Sequence, residues 1–145
     1  MIVGAILKGK SSNQVATTTA GQAVAEAAKL LHQHRIGALV VVEGSGEIVG
    51  IISERDIVRG MALHGTAVAD LKVRDLMTSS VLVCSPEDSV GDLMGTMTNN
   101  RIRHLPVMDN GRLAGIITIG DVVKSCLDET TMQVDSLREY VMAGR

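Results

Sequence analysis

The sequence predicts an α+β protein built from two copies of one β-α-β-β-α unit, each a small sheet flanked by helices. Two observations carry this: a glycine-led segment occurs twice, and strand and helix periods alternate in the same order around both occurrences. Gly50-Ile-Ile-Ser-Glu-Arg-Asp-Ile-Val-Arg59 returns as Gly115-Ile-Ile-Thr-Ile-Gly-Asp-Val-Val-Lys124. Upstream, Arg35-Ile-Gly-Ala-Leu-Val-Val-Val42 lies over Arg101-Ile-Arg-His-Leu-Pro-Val-Met108. Thr17–Val24 covers Val83–Val90, and Val3–Leu7 covers Val73–Met77. The division expected is residues 1–66 for the first repeat and 67–145 for the second.

Each unit opens with a short strand, near Val15–Thr18 or Val81–Cys84. Ala20–His34 and Pro86–Asn100 then carry apolar residues at helical intervals (Val24, Ala27, Ala28, Leu31; Val90, Leu93, Met94, Met97), with Pro86 expected in a helix first turn. The β-branched runs Leu39–Glu43 and Leu105–Asp109 follow. Each is joined by a glycine-containing turn to a second run, Ile48–Ser53 or Leu113–Thr118, which reads as a hairpin. A last helix leaves from Asp56 or Asp121. Neither half holds enough apolar mass to stand alone, so the two are expected to pack together.

The chain has 145 residues, 46% hydrophobic and 21% charged, the balance of one compact domain or two small halves. With no Trp or Phe and one Tyr, the core must come from Val, Ile, Leu, Ala and the eight Met. A formal charge of −2, with basic residues dispersed among acids, gives no footprint for nucleic acid. The longest apolar run, Ile36–Val42, is too short for a bilayer helix, and no basic leader precedes MIVGAIL, so a soluble cytoplasmic protein is expected. Cys84 and Cys126 form no C-x-x-C pair and read as small buried hydrophobes. His32 and His34, two residues apart on a helix, diverge and make no metal pair. The methionines Met94, Met97, Met132 and Met142 read first as core filler.

Gly4-Ala-Ile-Leu-Lys-Gly-Lys-Ser11 fits the letters of a nucleotide phosphate loop. Such a loop needs a buried strand before it and a helix after it. Only three residues precede Gly4, and Ser-Asn-Gln-Val-Ala-Thr follows Ser11. The repeat sets Gly4–Leu7 over Arg74–Met77, which has no glycine, so the segment reads as a lead-in helix with a polar loop after it. Hydrolysis through Gly4–Ser11 is the enzymatic alternative.

The duplicated Gly-x-x-[Ser/Thr]-x-x-Asp element sets a hydroxyl at a strand end and a carboxylate in the next helix's first turn. Ser53 with Asp56, and Thr118 with Asp121, could hold a phosphate or the vicinal hydroxyls of a ribose. The bland reading makes the two acids simple N-terminal capping groups. On the residues alone the two readings stand level.

The units resemble cystathionine-β-synthase domains, called CBS domains, and the tandem resembles a CBS pair or Bateman module. The resemblance rests on GIISERD, GIITIGD, RIGALVV and RIRHLPV and covers essentially the whole chain. It implies a pseudo-two-fold module that is not an enzyme and binds adenosine nucleotides in clefts between the repeats. AMP is favoured, with ATP, ADP, NAD(H) or S-adenosylmethionine as alternatives and no obligatory cofactor or metal. By resemblance, Asp56 and Asp121 hold ribose, and Ser53 and Thr118 lie near ribose or phosphate. Arg103 and His104, with Ile102 and Gly120 beside them, face phosphate. Thr19, Val24, Ile36 and Gly37 enclose adenine. Arg55 is the only evident cation of the Asp56 cleft, so a multiply charged phosphate should prefer the Asp121 cleft. The expected partners are the nucleotide, a second copy of the chain across flat helix faces, and a separate protein effector. A nucleotide-free structural dimer is the remaining alternative.

Overall fold

The computed structural model describes residues 1–144. Along the chain run α1 (Val3–Gly9), β1 (Thr17–Thr18), α2 (Val24–His34), β2 (Ala38–Glu43), β3 (Glu47–Ser53) and α3 (Glu54–His64). A 3-10 turn over Gly65–Asp70 is followed by α4 (Val73–Leu76), α5 (Val90–Asn100), β4 (His104–Asp109), β5 (Arg112–Thr118) and α6 (Ile119–Ala143). The chain divides into two compact units, Gln14–Leu82 and Met1–Asn13 joined by Val83 onward. Both are small sheets with helices laid against them.

In the Gln14–Leu82 unit, β1 pairs parallel with β2, and β2 pairs antiparallel with β3. Its core gathers Ala27 and Leu31 of α2, Leu39 and Val41 of β2, Ile52 of β3 and Val73 of α4. The other unit repeats the hairpin as β4 and β5, paired antiparallel. There Val90, Leu93 and Met97 of α5 meet Leu105, Val107, Ile117 and Val122, together with Val3 and Leu7 of α1. The helical intervals read from sequence thus mark the buried faces of α2 and α5, except that Ala28 is only half-buried and Met94 is exposed.

The short lead-in helices dock by one device in both units. Val3 N donates to Asp88 O at 2.9 Å and Gly4 N to Pro86 O at 2.8 Å. Likewise Val73 N donates to Gln22 O at 2.8 Å and Arg74 N to Ala20 O at 3.0 Å. Each lead-in lays a side chain over the glycine that opens the repeated motif. A Cβ built on Gly50 would lie 2.6 Å from Met77 Sδ, and one on Gly115 would lie 2.7 Å from Leu7 Cδ2. At Gly50 the carbonyl of Thr78, 3.0 Å from that Cβ, also leaves little room for a side chain, whereas at Gly115 it is the end of the Leu7 side chain that would have to give way. Both glycines also border a bulge, because the pairing shifts between Val41 and Val42 and again between Val107 and Met108.

Four sequence expectations are corrected. The helices begin at Val24 and Val90, so Pro86 stands ahead of α5 and not in its first turn. A side-chain turn holds it there: Ser85 N donates to Asp88 Oδ2 at 2.9 Å, while Ser89 Oγ caps α5 by accepting from Asp92 N at 3.1 Å. The strand expected at Val81–Cys84 shrinks to a single bridge from Cys84 to Val107. In the other unit Val40 N donates to Ala16 O at 3.3 Å, and the matching position in β4 is Pro106, which has no N–H to give. The last helices start at Glu54 and Ile119, two residues before the acids expected to open them. Finally, of the four methionines read as core filler only Met97 is core: Met94 is exposed on α5, and Met132 and Met142 are exposed because α6 runs on past the sheet it covers.

Both hairpin helices end alike. Arg35 and Arg101 adopt left-handed backbone with φ of 53° and 52°. Ile36 N then donates back to Leu31 O and Ile102 N to Met97 O, which closes each helix as a glycine would and turns the chain into the next strand.

Candidate functional site

The repeated hydroxyl and carboxylate form reciprocal capping boxes at the entrances of α3 and α6. Thr118 Oγ1 accepts from Asp121 N at 3.1 Å, and Asp121 Oδ2 accepts from Thr118 N at 3.0 Å. Ser53 Oγ accepts from Asp56 N at 3.3 Å, and Asp56 Oδ2 accepts from Ser53 N at 2.9 Å. Each box satisfies helix N–H groups that would otherwise lack partners. The capping role considered from sequence is therefore real. It does not by itself exhaust the carboxylates.

The two entrances differ in what else reaches the acid. Asp56 is 4% exposed and its other oxygen, Oδ1, accepts from Arg59 Nη2 at 2.6 Å. Asp121 is more open, and the ammonium of Lys10 lies 2.8 Å from Oδ2 while also donating to Ile116 O at 3.0 Å. The bonds from Lys10 and from Thr118 N both land on Asp121 Oδ2. The lysine of the apparent phosphate loop thus belongs to this entrance, while Gly4–Gly9 of that motif lies in the helix α1 and cannot cradle a phosphate with loop N–H groups.

Sequence reasoning missed Lys10 as a member of this site. The position matching it after α4 is Ser80, so the repeat gave no second cation to compare. The remaining expected residues divide between the units. Ile102, Arg103, His104, Thr118, Gly120 and Asp121 lie in one: His104 pairs with Thr118 across the hairpin, and Arg103 O accepts from Ile119 N at 2.9 Å. Arg103 is exposed, Ile102 and His104 half-buried, and Gly120 exposed in the first turn of α6. Thr19, Val24, Ile36, Gly37, Ser53, Arg55 and Asp56 lie in the other, where Gly37 O accepts from Glu54 N at 2.9 Å. Val24 is fully buried there, Ile36 and Gly37 are half-buried, and Thr19 and Arg55 are exposed.

Burial pushes the Asp121 carboxyl upward, but hydrogen bonds from Lys10 and Thr118 together with the lysine charge outweigh it and hold the group below the ordinary aspartate value of 3.8. A carboxyl lowered on folding contributes stability that is present above the unfolded value and is lost as pH falls through the folded one. Lys10→Met is therefore expected to destabilise the protein at pH 7, by a gap that narrows as pH falls well below about 4 to what the lost Lys10 bond to Ile116 O leaves. Urea midpoints measured from pH 7 to 2.5 check this; a gap between the two proteins that stays constant over that range contradicts the pairing. Cys84 differs: burial, with the charge of Asp88 adding to it, pushes its thiol up to about 11, so it is thiol and not thiolate at neutral pH. No cluster of three or more His, Cys, Asp or Glu residues suits a metal among the described residues.

Two α/β units, each closing a helix entrance with a hydroxyl and a carboxylate, define a duplicated α/β module. The domain model of the CBS family, described as "CBS domain", matches residues 3–63 and again 73–128. The chain belongs to that family. A mitochondrial CBS domain-containing protein of Arabidopsis thaliana, CBSX3, is 37% identical over 94% of this chain and 69% of its own length. The CBS-domain protein ATU1752 of Agrobacterium tumefaciens superimposes with a TM-score of 0.82 at 43% identity, over 85% of this chain and 91% of that one. The CBS pair of protein MJ0100, solved with 5'-methylthioadenosine and S-adenosyl-L-methionine, superimposes with a TM-score of 0.75 at 29% identity, over 86% and 98% of the two chains. No helix among the described residues is long and apolar enough to cross a membrane.

Proposed function

We propose that this chain is a regulatory module that binds an adenosine-bearing ligand at the entrance of α6, with Asp121 taking the ribose hydroxyls. The observation that carries the reading is the Thr118–Asp121 box with a cation, Lys10, already seated on its carboxylate. Asp121 Oδ1 accepts none of the bonds that Lys10 and Thr118 make. A vicinal diol can donate to it, and Lys10 can then swing toward a phosphate. Arg103, whose carbonyl accepts from Ile119 N at this entrance, carries a second cation on an exposed side chain. That pair of cations favours a phosphate-bearing ligand such as AMP, or the AMP half of ATP or NAD(H), over the cationic sulfonium of S-adenosylmethionine. MJ0100, a structural neighbour, carries adenosine-type ligands, which supports the nucleoside part of the reading. The Asp56 entrance, where Arg59 already occupies Oδ1, is the weaker of the two.

The reading is regulatory and not catalytic: ligand binding shifts a population of shapes, and a separate protein in a reducing compartment such as the cytosol receives the signal. The ligand can bias that population only through its differential affinity, typically worth 1–3 kcal/mol. Exposed apolar residues on α3 (Val58, Met61) and α6 (Val123, Leu127) are the faces on which a second copy would associate. One observation favours a purely structural dimer, namely that both carboxylates already have protein partners. A melting assay with AMP, ADP, ATP, NAD(H) and S-adenosylmethionine separates the two readings. A ligand at 100 times its dissociation constant adds about 2.7 kcal/mol, and AMP is expected to give the largest shift. Unchanged melting with every compound leaves only the structural dimer.

A further inference from the structure

The last helix is longer than its unit can use. α6 spans Ile119–Ala143, and Val122 and Ser125 bury its first half. From Thr130 to Ala143 every residue is exposed. An isolated stretch of that length is a marginal helix in water. Yet it carries a seam: Val123, Leu127, Thr130, Val134, Leu137 and Val141 follow one another at intervals of four, three, four, three and four. That is the two-per-heptad spacing of a coiled coil, begun on the anchored half and continued without a break along the free half. The apolar members are all open, with Leu127 at 62%, Val134 at 42% and Leu137 at 64% exposure.

We propose that residues 123–141 pair with the same segment of a second copy as a parallel two-stranded coiled coil. This deepens the homodimer reading by naming the segment that joins the copies. The residue types point to two strands: in the free half the first seam positions are β-branched Val134 and Val141 and the intervening one is Leu137, the combination that favours parallel dimers. Thr130, polar within the seam, fixes the register at some cost in stability. Flanking charge selects the direction. The positions on one side of the seam are Lys124, Thr131 and Arg138, and on the other Cys126, Gln133 and Tyr140. A parallel pair sets Gln133 against Arg138 of the second copy, whereas an antiparallel pair sets Lys124 against Arg138 twice, like charge on like. A lipid surface is disfavoured as the occupant, since Asp128, Glu129, Asp135 and Glu139 outnumber Lys124 and Arg138 over residues 123–141 and anionic headgroups would repel them.

Two measurements on the full chain test it. In sedimentation, wild type is expected to be a dimer and V134D/L137D to dissociate with a constant raised by about a hundredfold or more, since two apolar contacts are lost in each copy. Both residues are exposed, so the variant keeps its fold, which a circular dichroism melt confirms. A monomeric wild type overturns both the homodimer reading and the coil. A wild-type dimer with an equally dimeric V134D/L137D overturns the coil alone. Under mild oxidation Leu137→Cys is expected to cross-link copies far faster than Ser136→Cys, which lies off the seam. Equal rates overturn the proposed register and direction.

Discussion

Replacing Asp121 with Ala is expected to weaken binding of AMP by roughly 10- to 150-fold. A hydrogen bond to a charged group is worth about 1.5–3 kcal/mol, and that range converts directly into the loss of affinity. The Ala variant also loses the cap on Thr118 N and the Lys10 pair, so Asp121→Asn is the informative companion. Asn still accepts from Thr118 N but carries no charge for Lys10. Both variants should lose affinity while Asn retains more of the stability. The matching change at Asp56, whose Oδ1 is taken by Arg59, should affect AMP affinity far less. Calorimetry showing equal AMP affinity in Asp121→Ala and wild type would remove Asp121 from the site.

The largest expected loss of stability lies in the sheet beneath that entrance. Ile117, on β5 immediately before Thr118, is fully buried among Val3, Leu105, Val107 and Val122. Truncation to Ala deletes three buried carbons and leaves a cavity, and such changes cost about 2–5 kcal/mol. Leu137→Ala, the same kind of truncation on the open half of α6, should change the stability of the isolated protomer by no more than about 0.5 kcal/mol. Urea denaturation of both at low concentration, where copies are apart, checks the contrast. A loss of less than about 1 kcal/mol for Ile117→Ala contradicts the assignment of this core.

The hairpins and the helix faces were legible because the same apolar spacing occurs twice and each copy supports the other. Gly50 and Gly115 were visible as a repeated letter, but their reason was not, since Met77 and Leu7 press on them from distant segments. Lys10 was misleading for a similar cause. Its partner Asp121 lies 111 positions away, and the local letters around it imitate a loop that the lead-in helix precludes. The shortened first strand of the second repeat followed from one residue, Pro106, whose missing N–H could have been read in advance. The C-terminal seam was also in the sequence as a four-three spacing, hidden because Val122 and Ser125 on the same helix serve the core instead.

The central claim is that an adenosine ligand displaces Lys10 from Asp121 and takes the carboxylate for its ribose. A crystal structure of the protein grown with AMP tests it most directly. The account predicts ribose hydroxyls within hydrogen-bonding distance of Asp121 Oδ1, with the Lys10 ammonium drawn toward the phosphate. AMP bound elsewhere on the chain, with the Lys10–Asp121 pair intact at its present 2.8 Å, would contradict it.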